Sequence, residues 1–564
     1  MPPTSPAPSP PLASQIPSLE VATEDASPEL GWLEASYRDP DTFWARLFEH
    51  AASAPVPPRS RAGVTCDLYT DAVARHAAGG RNALVWSDSR KGWRSLSYAD
   101  LHARAGALAG AWLAQGAKPG ATVALVLPLG TEYLVALAAA LRLGLCVSAL
   151  APEGGERYLA TRLEKLAPDH LVLDERLPPP VGRFAKLALQ SAVNRPAPLT
   201  PAYVFGPKEP CARLFSPLRD PLDTPVELTA EIAYQNALRD GVLALPLAPG
   251  RCLAAPGFHR EQHHPALLFT CLLAGATFVH IDIEDLRSDP ALLAAQKIDI
   301  LGVTPEIRDL LRANSGLIGS VTHWFKSVDE PMEWLHWRDF AMKNCAETVL
   351  SSNVLVDAAA GGCVLFSTRR PKKSIHSRVL PSAGRLWTLG DPTGAPTGPD
   401  PGNGVFFPGP AKDGWFLLAR TGREYLWGST LLPRRAGRVF PAKELCALVA
   451  GLPSVVGACV VPLPASAPSP RFLFILLVFT GAAPTDGVAD RVKMARAASF
   501  GPDFVPDEVE VIRLFPRRKG NDVDTAWCHG QYLSGRLGRK AADPVFEKLT
   551  VLRGMLLPAG SEKA

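Results

Sequence analysis

The stretch Leu96–Gly144, LSYADLHARAGALAGAWLAQGAKPGATVALVLPLGTEYLVALAAALRLG, decides the fold. Ser97 and Asp100 open a helix over Ser97–Gln115, on which Leu101, Ala105, Leu108 and Trp112 recur at helical spacing. The GAKPG string breaks that helix, Ala121–Leu127 continues as a wholly apolar strand, and Glu132–Leu143 reads as a second helix. Outward from there come a strand over Cys146–Ala151, a helix over Arg157–Leu166 and a strand over His170–Leu173. Strands alternating with helices imply a parallel sheet covered on both faces, hence an α/β class.

Upstream, helices are predicted around Thr42–Ala52 and Leu68–His76, behind a Pro-, Ser- and Ala-rich leader over residues 1–30 that offers little to bury. Downstream, a proline-laden connection over Pro178–Pro225 leads to a second alternating block, with strands at Arg251–Ala255, Thr277–Ile281 and Ile300–Val303. Residues 378–437 are rich in Gly, Trp and Pro between short apolar runs, which predicts antiparallel strands. Beyond Arg438 the pattern is a small α+β unit with helices at Pro441–Ala450 and Val488–Ala498 and strands at Val455–Val461, Phe472–Phe479 and Glu508–Leu514. The expected domains are therefore a leader over 1–30, a large domain of parallel and mixed sheets with a β-rich segment over 31–436, and a small C-terminal domain over 437–564.

The composition excludes several classes. A formal charge of +4 over 564 residues does not call for nucleic acid. Ten cysteines without a CxxC pair suggest neither a zinc ribbon nor a disulfide framework. The run FLFILLVF at Phe472–Phe479 is far shorter than the ~20 residues a spanning helix needs, and no transmembrane segment is expected. The opening MPPTSPAPSPPL has no basic start and no apolar h-region, so it is not read as a secretory signal, and the expected location is cytoplasmic. Proline is abundant, at 55 residues against 46 glycines.

The order of these elements, with three strings, resembles the adenylate-forming (AMP-binding) superfamily, which holds acyl-CoA synthetases and adenylation domains. The strings are Leu96–Gly144, the segment Leu238–His280 with its Pro-Gly-Phe258-His259 element, and Gly437–Leu445, GRVFPAKEL. The resemblance implies a large N-terminal domain with acid and ATP sites and a small lid that rotates between half-reactions. A carboxylate would attack the α-phosphate of ATP, and that displacement needs a phosphate cradle, Mg²⁺ and a cation. ATP and Mg²⁺ are the cofactors the family implies.

Four motifs depart from that pattern. The family's phosphate loop, written like YTSGTTGTPKG, corresponds here to FSPLRDPLDTP from Phe215, with no glycine between Pro207 and Asp240 and with Pro217, Pro221 and Pro225 removing backbone donors. The metal-bearing segment, NxYGxTExGG, corresponds to Asn353–Gly362, with Leu355 for the aromatic and Ala359 for the glutamate. Pro410 stands where the ribose-binding aspartate is expected, upstream of the Asp413-Gly414-Trp415 turn. The lid string gives PRRKGNDVD, which puts Asp522 at the lysine position. Displaced substitutes would be Arg219 on the loop, Asp357 near the metal segment and Lys519 on the lid; Arg420 matches the family's hinge arginine, and Phe258, His259, Gly361 and Gly362 fall at ligand-binding positions.

The cluster His259-Arg-Glu-Gln-His263-His264 admits a helix-face metal reading, a polar loop, or the family's element beside the acyl pocket. Arg434-Arg435-Ala-Gly-Arg438 and Arg517-Arg518-Lys519 are basic patches, read either as solvated charge or as a surface for an acidic partner. The sequence thus leads to a catalytically degenerate relative that binds an acyl ligand, a carrier protein or another protein. Its alternatives are an active acid-activating ligase using Arg219, Asp357 and Lys519, and a scaffold in a multiprotein assembly.

Overall fold

Ser97 caps the helix Tyr98–Ala114: its hydroxyl accepts from the Asp100 amide at 3.0 Å and donates to the Asp100 carboxylate at 2.7 Å. Leu101, Ala105, Leu108 and Trp112 are buried, so the helix packs by the stripe its periodicity predicts. The following helix, Thr131–Leu143, ends at Gly144 in the left-handed region at φ 73°, where a Cβ would lie 2.4 Å from the Tyr203 ring. Both turn chemistry and close approach therefore require glycine there. The computed structural model describes residues 32–537 except 33–34, 37–38, 55, 89–91, 175–184, 190–200, 217–223, 315, 329–333, 347, 370–377, 385–386, 391–402, 409–415, 422–423, 428–433, 436–437, 465–471 and 521. The leader over residues 1–30 lies outside them.

The chain forms two units. The larger takes residues up to Pro152 and Arg162–Leu431; the smaller takes Glu153–Thr161 and residues from Leu432. In the larger unit a six-stranded sheet has the buried strands Thr122–Val126 and Cys146–Leu150 at its centre, paired in parallel from Thr122 opposite Cys146. The connection expected over Pro178–Pro225 contributes to this sheet. It contains the strands Ala185–Lys186 and Pro210–Phe215, and the latter pairs antiparallel with Pro225–Thr229. Prolines stand at the first residue of both paired strands, a position that needs no ladder donor. The helix expected over Leu68–His76 is shorter, Leu68–Ala72, followed by a 3-10 segment, Ala74–Gly79.

The second sheet has 13 strands, with Asn82–Asp88 and Gly92–Ser97 at one end and the strands between Arg378 and Trp427 at the other. Its middle is parallel: Thr277–His280, Cys252–Ala254, Ile300–Gly302, His323–Ser327 and Leu350–Asp357 pair in that order. From Leu350–Asp357 onward it turns antiparallel through the hairpin with Gly362–Arg369, and the strands over 378–427 continue so. Along His323–Ser327 the pleat sends Phe325 to the large core that holds Phe258, and Trp324 to a second core with Trp337 and Phe340.

In the smaller unit Gly457–Pro464, Phe472–Phe479 and Glu508–Ile512 form one sheet with Phe472–Phe479 in the centre. Phe474, Leu476 and Val478 pack with Phe440 and Val492, while Ile475, Leu477 and Phe479 pack with Cys528 and Tyr532. Burial on both faces explains why that run is apolar at every position rather than alternating. No helix among the described residues is long and apolar enough to cross a membrane.

Candidate functional site

The strand Leu350–Asp357 delivers Asp357 to the start of a 3-10 turn, Ala358–Ala360. The Asp357 carboxylate accepts the Ala359 amide at 3.0 Å and the Ser216 hydroxyl at 2.6 Å, and both acid and serine are buried. Ser216 is the residue that follows Pro210–Phe215, so Asp357 ties the turn Ala358–Ala360 to the second residue of the string FSPLRDPLDTP. Residues 217–223 of that loop, including Arg219, lie outside the described residues. Ala359 and Leu355, the residues that the sequence alignment sets against the family's glutamate and aromatic, are both buried. Asp357 thus does the work of a turn cap. Its replacement in Asp357→Ala leaves the Ser216 hydroxyl and the Ala359 amide without that acceptor, and urea unfolding is expected to show a loss of about 1–3 kcal/mol. A loss below the scatter between repeat melts contradicts this structural role.

Gly361 and Gly362 serve the packing of the same turn. Gly361 has φ 81°, and a Cβ there would meet Asn236 Nδ2 and Leu228 at 3.1 Å. At Gly362, φ 148°, a Cβ would lie 2.2 Å from Asp240 Oδ2. What presses on them is a buried ionic network at the end of the helix Ala230–Arg239. Arg239 is fully buried and donates Nε and Nη2 to Asp240 Oδ1 at 2.8 and 2.6 Å, Nη1 to Asn236 Oδ1 at 2.9 Å, and Nη2 to the Cys363 carbonyl at 2.7 Å. Asp240 Oδ2 accepts the Cys363 amide at 2.5 Å, and Asn236 Nδ2 donates to the Ala360 carbonyl at 3.1 Å. The paired glycines are shaped to this network.

The histidine-rich segment is an internal clamp. Glu261 Oε1 accepts the Ala151 amide at 2.7 Å, at the end of the six-stranded sheet's strand Cys146–Leu150. Gln262 Nε2 donates to the Val356 carbonyl at 3.0 Å and the Ala358 amide donates to the Gln262 carbonyl at 2.7 Å, at the C-terminal end of the other sheet's strand Leu350–Asp357. His259 Nδ1 accepts the amides of Gln262 at 2.8 Å and Glu261 at 3.1 Å, and His263 Nδ1 accepts the His259 amide at 2.9 Å. His264 Nε2 lies 3.3 Å from the Ala255 carbonyl, and burial, reinforced by His280 and Arg260, holds its pKa well below the usual histidine range. Each imidazole is thus turned to the local backbone, and no group of three or more His, Cys, Asp or Glu side chains fit to hold a metal occurs among the described residues. Phe258 is buried, its ring centroid 5.1 Å from those of both His263 and Phe325. Sequence reading passed over Glu261 and Gln262, because a polar residue inside a clamp has the same one-letter code as one facing a ligand.

In the smaller unit Lys519 is exposed on a two-residue strand, Arg518–Lys519, and stands opposite Asp522 in the pairing with Asp522–Val523. The residue at the lysine position and its displaced substitute are therefore cross-strand neighbours. Arg518 Nη2 donates to the Val456 carbonyl at 2.8 Å and Arg517 lies 3.4 Å from Asp524. Arg435 pairs with Asp507 and packs its guanidinium 5.0 Å from the Phe474 ring centroid. Pro410, the turn at 413–415 and the side chains of Arg420 and Arg434 lie outside the described residues.

Two sheets in the larger unit, a two-glycine turn tied to Ser216 through Asp357, and a small α+β unit make up the described architecture. Residues 70–202 match the family described as AMP-binding enzyme. Over 127 residues the chain is 33% identical to acetyl-coenzyme A synthetase 2 of Pseudomonas putida, covering 19% of each chain, so the match spans about a fifth of that relative's length. Among solved structures, o-succinylbenzoate CoA synthetase of Bacillus subtilis superposes with a TM-score of 0.67 at 14% identity, over 83% of this chain and 98% of that one. Acetoacetyl-CoA synthetase of Streptomyces lividans gives 0.60 at 16% identity over 96% and 97%, and an artificially fused adenylation–PCP di-domain from Klebsiella oxytoca gives 0.61 at 14% identity over 79% and 86%. The chain therefore has the fold of these synthetases and adenylation domains, and a sequence likeness to the AMP-binding family extends over residues 70–202.

Proposed function

We propose that the chain is a catalytically degenerate adenylate-forming-like protein that binds an acyl ligand, a carrier or another protein through the retained scaffold, with residues 31–436 as the ligand-bearing domain and 437–564 as the lid. The observation that carries this reading is the buried Asp357 carboxylate, held by the Ser216 hydroxyl and the Ala359 amide beside an alanine at the metal-bearing position. The residues at the metal segment do not fit Mg²⁺: Ala359 offers no ligand at the aligned glutamate position, and the buried Asp357 carboxylate accepts the Ser216 hydroxyl and the Ala359 amide. Glycine-free sequence over the aligned phosphate loop and Asp522 at the lysine position support the same reading. Each lost electrostatic contact of this kind costs about 3 kcal/mol in barrier height, roughly a hundredfold in rate. Such losses are not additive within one constellation.

A second reading, an active acid-activating ligase working through Arg219, Asp357 and Lys519, draws support from the likeness to the acetoacetyl-CoA synthetase over 96% of this chain. Acid-dependent exchange of labelled pyrophosphate into ATP separates the two. With a broad panel of carboxylic acids and Mg²⁺, exchange is expected to stay at the protein-free level. Robust exchange that disappears in Arg219→Ala, Asp357→Ala or Lys519→Ala overturns the degenerate reading in favour of the ligase.

A further inference from the structure

All ten cysteines of the chain are free thiols, and two of them meet in the smaller unit. Cys459 lies on the strand Gly457–Pro464, at one edge of the three-stranded sheet, and Cys528 on the helix Thr525–Leu533 that packs against it. Alternation along the strand sends Cys459, Val461 and Leu463 to the face shared with Cys528 and Tyr532. Neither cysteine has exposed surface, and their thiols are hydrogen-bonded to each other. Cys446, on the helix Ala442–Ala450, packs with the core on the opposite face of the sheet. The helix that carries Cys528 is tied over the sheet: Tyr532 Oη donates to Glu510 Oε1 at 2.7 Å, and His529 Nε2 lies 3.3 Å from the Pro462 carbonyl. A buried cysteine often serves only as a small apolar side chain. Here the mutual hydrogen bond makes the pair unequal. Cys528 accepts from the Cys459 thiol, which favours its thiolate and holds its pKa below the ordinary thiol value against burial and the neighbouring Asp524; the same bond, with burial, pushes Cys459 up.

We propose that Cys459 and Cys528 form a reversible dithiol–disulfide couple that clips the helix Thr525–Leu533 to the edge strand of the smaller unit. The oxidant is a small disulfide of the glutathione class. The Cys528 thiolate attacks one sulfur of that disulfide and expels a thiolate; Cys459 then gives up its proton, attacks the Cys528 sulfur of the mixed disulfide and expels the second thiolate. The protein loses two protons and two electrons, and the oxidant leaves as two thiols. Going from a hydrogen-bonded thiol pair to an S–S bond of about 2.05 Å is a short side-chain movement between elements already packed together. The bond closes the loop between residues 459 and 528, which restricts the unfolded chain and so stabilises the smaller unit. Because both sulfurs are covered, the helix has to lift before the oxidant reaches Cys528, so local opening sets the rate. The couple does not depend on whether the protein activates acids.

The test incubates the full reduced chain in buffers of stepped ratios of oxidised to reduced glutathione, traps free thiols with N-ethylmaleimide and maps the cysteine peptides by mass spectrometry. The peptide of Cys459 is expected to be joined to that of Cys528 before any other cysteine pair forms, and an excess of reduced glutathione is expected to separate them again. The oxidised chain is expected to melt above the reduced one, and Cys528→Ser to show neither the cross-link nor the rise. The wild-type peptide map needs no variant, so it decides the matter even where Cys528→Ser does not fold. Three results overturn the assignment: no Cys459–Cys528 cross-link in the folded chain, another cysteine pair joined as readily, or an oxidised chain that melts no higher than the reduced one. Pyrophosphate exchange reads acid activation separately, so the two proposals fail independently.

Discussion

Asp240→Ala is expected to destabilise the larger unit by about 3–5 kcal/mol, the cost of leaving a buried cation without its partner. Arg239 has no exposed surface and directs two of its nitrogens to Asp240 Oδ1, so the truncation strands a charge that water does not reach. The other carboxylate oxygen accepts the Cys363 amide, and that donor is orphaned by the same change. Urea unfolding followed by tryptophan fluorescence reads the loss as a lower midpoint at unchanged slope. The double variant Arg239→Met, Asp240→Leu removes both charges and is expected to recover part of the loss, since buried pairs replaced by apolar residues are often neutral or better. A single-variant loss under about 1 kcal/mol would mean that the pair is solvated, and that Gly361 and Gly362 are not held by a rigid ionic network.

That network also marks where sequence reading stopped. The stretch Leu96–Gly144 announces its elements because each follows a local rule: a cap at Ser97, a stripe from Leu101 to Trp112, a glycine stop at Gly144. The apolar run at Phe472–Phe479 is equally plain, since burial on both faces removes polar residues from the whole strand. The strands His323–Ser327 and Leu350–Asp357 were not legible, because His323, Lys326, Ser351, Ser352 and Asn353 are polar yet buried, and only the tertiary partners make that tolerable. At the candidate site, the alanine at position 359 could be read from the sequence alone. The use of Asp357 could not, because its partner Ser216 lies 141 positions away in the chain. A similar separation hides what the two glycines meet: their neighbours include Asn236 and Asp240, at the end of a distant helix.

Lys326→Met is expected to stabilise the protein at neutral pH, and the gain is expected to vanish as pH rises. Lys326 is almost fully buried, and burial, reinforced by Arg308, brings its pKa down from 10.5 to about 7. Below pH 7 the lysine is charged in both folded and unfolded chains, and the full desolvation cost is present. Between about 7 and 10.5 the unfolded chain holds the proton while the folded one releases it, so stability rises with pH; above 10.5 both forms are neutral and the cost is gone. The ceiling is on the order of 5 kcal/mol. The ammonium lies 5.3 Å from the Trp337 ring centroid, and losing that contact offsets about 1–2 kcal/mol of the gain. Urea midpoints of wild type and Lys326→Met at pH 6.5, 8.5 and 10.5 should therefore converge from a net advantage to the variant of about 2–4 kcal/mol. A gap independent of pH would show that the lysine stays charged through favourable contacts rather than suffering from its burial. The placement bears on function too. Lys326 shares the Trp324 side of its strand, under Arg308 and Trp337, while Phe325 faces Phe258 on the opposite side. A lysine on that side of the sheet does not face the segment of Phe258 and His259, so the titration of Lys326 reports the packing of the second core.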